Sequence, residues 1–128
     1  MMRKNLLEAT QEFTHLHPDY LRIFSNIETL DDNEPFFADC WAQFASNLAK
    51  RYLRGTATDV EEALMRVETL VATADQDTQN IVATCYLEAL LIASDDNPDE
   101  LEPLLQKMGP ESRAHCKAYN EMLSLIHI

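Results

Sequence analysis

Glycine is almost absent from this chain: only Gly55 and Gly109 occur among its 128 residues. Antiparallel sheets need tight turns, and those turns commonly take glycine because their backbone adopts positive φ angles. A chain with two glycines therefore favours helices joined by short loops. The apolar residues agree, because they recur at intervals of three and four along most of the sequence, which is the helical period. The sequence predicts an all-α fold.

Proline, glycine and capping residues divide the chain into seven predicted helices. Gly55 is the expected stop of the third helix, because a glycine tolerates the left-handed backbone that often ends a helix. The segment IVATCYLEALLIA is apolar on nearly all sides and is predicted to be the central helix. The predicted helices cover residues 4–15, 18–30, 35–54, 58–74, 77–94, 97–108 and the chain after 110.

Short loops between these helices imply antiparallel neighbours within one domain over residues 1–128. The arrangement expected is about six to seven helices, either as an orthogonal bundle or as a short HEAT-like stack of helical hairpins. If neighbours alternate in direction, the loops near residues 59–62 and 95–102 lie at one end of the domain. The loops near residues 31–34 and 75–77 then lie at the other end.

Three helix starts carry predicted caps. Thr58 and Glu61 form a capping box, in which each side chain accepts a hydrogen bond from the other residue's backbone amide. Asp77 is predicted to cap the fifth helix, and Asn97 the sixth, with Pro98 in its first turn.

The helical spacing also predicts which apolar residues of the second and third helices face the core. They are Leu21, Ile23, Phe24, Ile27 and Leu30 in the second helix and Phe36, Phe37, Cys40, Trp41, Phe44, Leu48 and Leu53 in the third.

The charge of the chain is large and unevenly distributed. Twenty-two acidic residues against ten basic ones give a net charge of −12. Residues 55–106 alone contain twelve acids and the single base Arg66, whereas residues 107–128 carry two acids and three bases. A field of that sign repels nucleic acid and anionic membranes, and it accelerates encounter with a basic protein. The sequence therefore argues against direct nucleic-acid or membrane binding.

The acidic residues at the loops are the first candidates for a partner-binding surface. The first choice is the set Asp95, Asp96, Asp99, Glu100, Glu102, Asp59, Glu61 and Glu62. The second choice, at the opposite end, is the set Asp75, Asp77, Asp31, Asp32 and Glu34. A structural alternative is that several of them only cap helices, because a carboxylate at a first turn contributes about 0.3–1 kcal/mol. Capping does not explain why bases are nearly absent over some fifty residues, since soluble surfaces usually mix both signs.

Glu88 is a second kind of candidate. It lies in the predicted central helix, in line with Asn80 and Thr84 at a spacing of four residues. The structural interpretation, which we favour, is a polar stripe that reaches solvent or bonds to neighbouring helix ends. The functional alternative is a buried carboxylate, or one paired to Arg51, Arg54 or Arg66.

The histidines and cysteines do not form a recognisable metal or catalytic site. His15 and His17 lack further ligands that the sequence can place nearby, and the neighbours His115 and Cys116 point about 100° apart on a helix. No glycine-rich phosphate loop, HExxH or GxSxG motif is present. We therefore predict no enzyme, no metal and no cofactor. The odd number of cysteines and the lack of a signal peptide or membrane span predict free thiols in a cytoplasmic protein, at Cys40, Cys85 and Cys116.

Three successive motifs carry a resemblance to a known family. They are a helix end YL-x-G at residues 52–55, the run VEEALMRVETLVATADQDTQNIVATCYLEALL, and LEPLLQKMGPESRA, in which Met108 stands where leucine is usual. The pattern resembles a family of small, acidic, all-helical bacterial proteins that often act as immunity proteins beside polymorphic toxins, including contact-dependent growth inhibition systems. It covers about half of the chain, and its motifs are apolar and turn-forming, so no catalytic residue is carried over.

The resemblance implies a binding protein that neutralises a cognate toxin domain, one to one and as a monomer. Many such toxins are basic nucleases, so carboxylates can stand where the toxin expects phosphates. A dedicated chaperone or adaptor is the alternative, and it predicts a homodimer with an exposed apolar groove. A third hypothesis, a ligand-binding or enzymatic domain, predicts a pocket around Glu88.

Overall fold

Seven helices make up the part of the chain that the computed structural model describes, which is residues 5–26 and 34–126, with side chains for 5–26 and 37–122. The predicted all-α fold is therefore confirmed. The helices are α1 (Leu6–Phe13, extended by a 3₁₀ turn at Thr14–Leu16), α2 (Pro18–Asn26), α3 (Glu34–Leu53), α4 (Val60–Thr73), α5 (the consecutive segments Gln76–Ile81, Val82–Leu87 and Glu88–Asp96), α6 (Pro98–Leu105) and α7 (Pro110–Ile126).

Helix α5 is the central helix, as its apolar sequence predicts. It packs against α1, α3, α4, α6 and α7. An aromatic cluster fills the space between α5 and the N-terminal helices, with Phe13 in the middle. The Phe13 ring lies 4.7 Å from Tyr20, 4.8 Å from Trp41 and 5.2 Å from Phe44, measured between centroids, and 5.8 Å from Tyr86 of α5. All five side chains are fully buried, so this cluster holds α1 and α2 onto α3 and α5.

The middle segment of α5, Val82–Leu87, is π-helical, which the sequence analysis did not predict. A π turn inserts an extra residue into the helical repeat and rotates the residues on either side. Tyr86 lies in this segment and is fully buried, and its hydroxyl has no hydrogen-bond partner among the described residues. Burial raises the pKa of that hydroxyl, so it stays protonated.

Replacing Tyr86 by phenylalanine is expected to leave the free energy of unfolding unchanged or to raise it by up to about 1 kcal/mol. The ring contacts remain, and an unsatisfied buried hydroxyl is removed. The matched control is Tyr20→Phe, because the Tyr20 hydroxyl donates to Asp59 and accepts from Arg51. Losing it is expected to reduce stability by about 1–3 kcal/mol. Urea unfolding measures the free energy of unfolding of both variants. Equal losses of stability would contradict the conclusion that the Tyr20 hydroxyl has hydrogen-bond partners and the Tyr86 hydroxyl has none.

Gly55 ends α3, as predicted. It has a φ of 76°, its amide donates to the Tyr52 carbonyl at 3.0 Å, and the Thr56 amide donates to the Arg51 carbonyl at 2.9 Å. These two bonds satisfy carbonyls at the end of the helix that would otherwise lack partners. The glycine is needed because other residues seldom adopt this left-handed backbone.

The side-chain caps predicted for α4, α5 and α6 do not form as predicted. The Thr58–Glu61 capping box does not form: α4 begins at Val60, and Asp59 occupies the cap position without a side-chain bond to the helix. Helix α5 is capped by Asp75, whose carboxylate accepts from the Thr78 amide at 2.8 Å, and not by Asp77. Asn97 does precede α6, but its side chain donates back to the Ala93 carbonyl at 3.4 Å.

The start of α7 is capped by a side chain from another helix. Glu68 of α4 accepts hydrogen bonds from the Glu111 amide at 3.0 Å and from both the amide and the hydroxyl of Ser112 at 2.9 Å. Gly109 makes this approach feasible, because a Cβ at that position would lie 2.5 Å from Cγ and Cδ of Glu68. The turn MGPES therefore depends on a long-range contact with α4.

This contact predicts a specific double-mutant result. Glu68→Ala and Gly109→Ala are each expected to lower the free energy of unfolding by about 1–3 kcal/mol, because each removes the cap from α7. In the Glu68→Ala background, Gly109→Ala is expected to have little further effect, since no side chain is left to clash. Urea unfolding of the four proteins measures the coupling. Additive losses would contradict the shared mechanism. Glu62→Ala, an exposed change on the same helix, is the control.

Two apolar residues predicted to be in the core are exposed. Leu21 of α2 is 54 % exposed and Leu53 of α3 is 41 % exposed. In α2, the fully buried position is the adjacent Tyr20, since its hydroxyl has polar partners inside the domain. Leu53 lies in the last turn of α3, where the helix reaches the end of the domain. The predicted positions Ile27, Leu30 and the Phe36 side chain lie outside the described residues.

Candidate functional site

A strongly acidic segment without basic residues, 95–102, joins α5 to α6. Asp95 and Asp96 end α5, and Asp99, Glu100 and Glu102 lie on α6. All five side chains are exposed, and none has an ion-pair partner in residues 5–26 and 37–122. Among the described residues, the only hydrogen bond to these five carboxylates is the one that Glu102 accepts from Gln106 at 3.3 Å. The segment therefore presents negative charge that the described part of the domain does not neutralise.

An apolar depression borders this segment on the α3 side. It has a volume of about 360 Å³ and lies between the last turns of α3 and of α5. Leu53 and Ile92, which are 41 % and 57 % exposed, line it together with Asp96 and Asn97. The ends of α3 and α5 are thus neighbours, as the alternating helix directions predict. An exposed apolar patch rimmed by polar or charged side chains is one arrangement that marks a protein-binding surface.

Glu61 and Glu62, at the start of α4, are also exposed. Glu61 lies 3.9 Å from the Lys107 ammonium, measured from its carboxylate oxygen. Lys107 follows the C-terminal end of α6, whereas Asp95 and Asp96 precede its N-terminal end. Since α6 is about 12 Å long at 1.5 Å per residue, these two glutamates lie near the far end of α6 from Asp95 and Asp96.

Asp59, which was predicted to belong to the same surface, is buried and does not. It is 4 % exposed, and Arg51 donates to its two carboxylate oxygens at 2.6 and 3.3 Å. The Tyr20 hydroxyl donates to the same carboxylate at 2.7 Å. These contacts also explain why Asp59, at the cap position of α4, makes no side-chain bond to that helix, because its carboxylate is turned into the domain and not towards the first amides of α4.

A polar network extends from Asp59 across α3 to α2. Arg51, itself 6 % exposed, donates from Nε to Asn47 at 2.7 Å and from a terminal nitrogen to the Tyr20 hydroxyl at 2.9 Å. Asn47 donates to Asp19 at 3.1 Å, and the Arg51 guanidinium stacks 5.3 Å from the Tyr20 ring centroid. The network links α2, α3 and the start of α4, and its role is structural.

The ionisation of this network is set by burial and by hydrogen bonding. Burial alone would raise the pKa of Asp59, but hydrogen bonds from Arg51 and Tyr20 outweigh it and lower the pKa. Burial would lower the pKa of Arg51, and the bond to Asp59 reverses that, so the net pKa is raised. Both residues are charged at neutral pH. Burial raises the pKa of Tyr20, which keeps its hydroxyl as a donor.

Only two residues of the second-choice acidic set, Asp75 and Asp77, have described side chains. Asp77 is exposed at the start of α5, and Asp75 is half-buried with its carboxylate bonded to the Thr78 amide. Asp75 is therefore occupied by its capping role. The loop residues Asp31 and Asp32 and the Glu34 side chain lie outside the described residues, although Glu34 begins α3.

Glu88 pairs with a histidine and with none of the arginines considered from the sequence. Its carboxylate lies 3.0 Å from Nε2 of His115 on α7, and both side chains are partly exposed. The pair joins α5 to α7, which fits the structural interpretation of Glu88. Sequence reasoning missed it because the two residues are distant in the chain and the π-helical segment rotates Glu88 relative to Asn80.

The three cysteines are free, as predicted, and Cys40 and Cys116 are buried. Burial raises the pKa of Cys40 to about 12 and that of Cys116 to about 11, and it also raises the pKa of Cys85. All three are therefore thiols at neutral pH, which leaves them weakly nucleophilic. Among the residues with described side chains, no group of three or more histidine, cysteine, aspartate or glutamate residues is arranged to hold a metal ion.

Comparison with known proteins assigns the chain to a family. Residues 6–124 match the family described as a domain of unknown function, DUF7674, and the chain belongs to it. No curated protein and no solved structure matches the chain. Within residues 5–26 and 34–126, no helix combines the length and the hydropathy that crossing a bilayer requires.

Proposed function

We propose that this domain is a stoichiometric binding protein for a basic protein partner, with the acidic segment 95–102 as the centre of its contact surface. The observation that carries the proposal is the combination of five exposed, unneutralised carboxylates with the exposed Leu53 and Ile92 beside them. Glu61 and Glu62 extend the negative field at the start of α4. Asp59 plays no part in the surface, since it is buried.

The carboxylates and the apolar side chains contribute to binding in different ways. Carboxylates on a chain of net charge −12 attract a basic partner over a Debye length, about 8 Å at physiological salt. Apolar side chains such as Ile92 then provide desolvated contacts at close range, which give most of the affinity. Such a surface selects lysine and arginine side chains and disfavours nucleic acid and anionic membranes.

The partner we propose is a toxin domain, which this chain would neutralise one to one in the cytoplasm as an immunity protein. The resemblance of residues 52–112 to immunity proteins supports this role, and the acidic surface fits a basic toxin such as a nuclease. Inhibition by binding needs neither catalysis nor a cofactor. Carboxylates placed against the phosphate-binding groups of a nuclease would exclude its substrate.

A chaperone or adaptor role is the second candidate, and one observation favours it. An apolar-floored groove of about 980 Å³ lies between the end of α5, α6 and the first half of α7. A chaperone uses such a groove to hold an apolar segment of its client, and it acts as a homodimer in this hypothesis. The mass of the free protein separates the two roles, since the immunity role predicts a monomer.

The test is co-expression of the full chain with the product of the adjacent gene, followed by purification and mass measurement by light scattering. The proposal predicts a one-to-one complex, and it predicts that cells carrying the neighbouring product survive only when this chain is present. A homodimer that binds no neighbouring product, in cells that grow equally well without it, would contradict the immunity role.

A further inference from the structure

The groove between α5, α6 and α7 has an apolar floor that remains accessible from one side. Leu91, Leu105, Met108 and Cys116 form the floor. Leu91, Met108 and Cys116 are each at least nine-tenths buried, and the Cys116 thiol contacts the Met108 sulfur at 3.8 Å. The floor is therefore fixed by packing within the domain, so the groove does not depend on a partner for its shape.

The two walls of the groove differ in charge. Glu102 lies on the α6 wall, whereas the α7 wall carries Arg113 and Lys117, one turn apart, and Glu121 one turn beyond them. Neither Glu102 nor Lys117 has an ion-pair partner in the described part of the chain. The groove thus has an unneutralised negative charge on its α6 wall and an unneutralised positive charge on its α7 wall, at the side of the acidic segment away from the Leu53 depression.

We propose that this groove binds an amphipathic helix of the partner protein, seated with its apolar side on the floor. Basic side chains along one edge of that helix pair with Glu102, and acidic side chains along the other edge pair with Arg113 and Lys117. From Arg113 to Glu121 the α7 wall is about 12 Å long, so it accommodates about two turns of helix. This inference rests on the proposed function, because it names the element that the partner contributes.

The charge pattern selects this occupant over a small amphipathic anion. An anion would be attracted by Arg113 and Lys117, but it would lie between Glu102 and Glu121, which also line the groove. A helix presents several charges at fixed positions, so its basic edge can meet Glu102 while acidic side chains on the other edge meet Arg113 and Lys117 and a basic one meets Glu121. The groove also shares Glu102 and Pro98 with the acidic segment, so one partner can cover both surfaces at once.

The test uses the full chain and a synthetic probe, and so it does not need the natural partner. The probe is a stapled helical peptide of about fifteen residues with leucines at i, i+3, i+4 and i+7, lysines along one edge and glutamates along the other. A second peptide carries lysines on both edges. Binding is followed by amide chemical shifts at about physiological ionic strength, where the effect of net charge alone is screened.

Two pairs of variants localise the probe. Ser94→Trp fills the groove from α5, and Ala72→Trp places the same side chain on an exposed position of α4 outside it. Lys117→Glu reverses the charge of the α7 wall, and Lys50→Glu makes the same change in net charge at the Leu53 depression. The inference predicts that Ser94→Trp and Lys117→Glu each weaken binding of the mixed-edge peptide about tenfold, with the two controls within about twofold of wild type.

The inference further predicts that Lys117→Glu strengthens binding of the all-lysine peptide. Shifts that map outside the groove, or equal effects of Ser94→Trp and Ala72→Trp, would overturn it. These outcomes are separate from those of the proposed function. If the natural partner binds the Ser94→Trp variant as tightly as it binds the wild type, the groove is not part of the contact surface. The proposed function, which depends on the acidic segment, would still hold.

Discussion

Replacing Asp59 by alanine is expected to lower the free energy of unfolding by about 3–5 kcal/mol. Arg51 is 6 % exposed, and Asp59 is the nearer of its two carboxylate partners, at 2.6 Å against 3.6 Å for Asp19. The change removes that nearer partner, and it also removes the acceptor of the Tyr20 hydroxyl. A buried charge that loses its nearest partner costs more than the pair contributes when intact. A loss of this size is a large part of the stability of a domain this small.

Urea unfolding followed by circular dichroism measures the effect. Asp99→Ala is the matched control, because Asp99 has the same side chain, is exposed, and has no ion-pair partner in the described part of the chain. It is expected to stay within about 0.5 kcal/mol of the wild type. Equal stabilities of the two variants would show that the Arg51–Asp59 pair does not hold α2, α3 and α4 together.

The same pair predicts a dependence of stability on pH. The pKa of Asp59 is lower in the folded state than its ordinary value of 3.8. Its contribution is therefore complete above that value and is lost as the pH falls through the lower folded pKa. We expect the unfolding free energy of the wild type to drop more steeply below about pH 4 than that of Asp59→Ala.

Neutralising the acidic segment is expected to slow association with the partner by about 10- to 1,000-fold at low ionic strength. The variant replaces Asp95 and Asp96 by asparagine and Glu100 and Glu102 by glutamine. These side chains are exposed, and among the described residues the only hydrogen bond to them is the one that Glu102 accepts from Gln106, so stability is expected to be unchanged or slightly higher. Stopped-flow measurements of the association rate test the prediction.

A second four-site variant separates the position of the charge from its amount. It makes the same type of change at carboxylates outside the acidic segment, namely Glu8, Glu12, Asp39 and Glu111. Both variants have the same net charge, so a general effect of charge slows both equally. The proposal predicts that the acidic-segment variant is slowed more and that its rate depends less on salt. Identical rates would remove segment 95–102 from the contact surface.

The fold was predictable because its signals are local. Scarce glycine, a helical apolar period and breaks at Gly55 and Gly109 are features of neighbouring residues, and they place all seven helices within a few positions. The central role of α5 follows from a segment that is apolar on nearly all sides. None of these inferences needs knowledge of which residues are distant in the chain but close in space.

Two features that the sequence reasoning missed involve contacts between residues that are separated in the chain. Asp59 resembles a helix cap in the sequence, yet its partners Tyr20 and Arg51 lie 39 and 8 positions away and draw it into the domain. Glu68 resembles one more surface carboxylate of α4 and in fact caps α7 from 44 positions away. A signal for that cap existed in the glycine of MGPES, since a helix start that requires glycine indicates a close approach by another group.

The exposed acidic segment was predictable as a surface, because its carboxylates exceed what helix capping uses. The exposed apolar residues beside that segment were not predictable. Leu53 and Ile92 occupy helical positions that fit a buried face, and only the packing of α3 against α5 decides that both remain at the edge. The resemblance to immunity proteins rests on motifs that the structure uses for the fold, such as the Gly55 and Gly109 turns.

The most direct test of the proposed function is hydrogen–deuterium exchange on the purified complex of this chain with its basic partner. Exchange is expected to slow on binding in the last turn of α5 and in α6, around Ile92 and residues 95–102, with no change in α1. Protection confined to α1 and α2, or to the Asp75–Asp77 end of the domain, would contradict the assignment of the acidic segment as the contact surface.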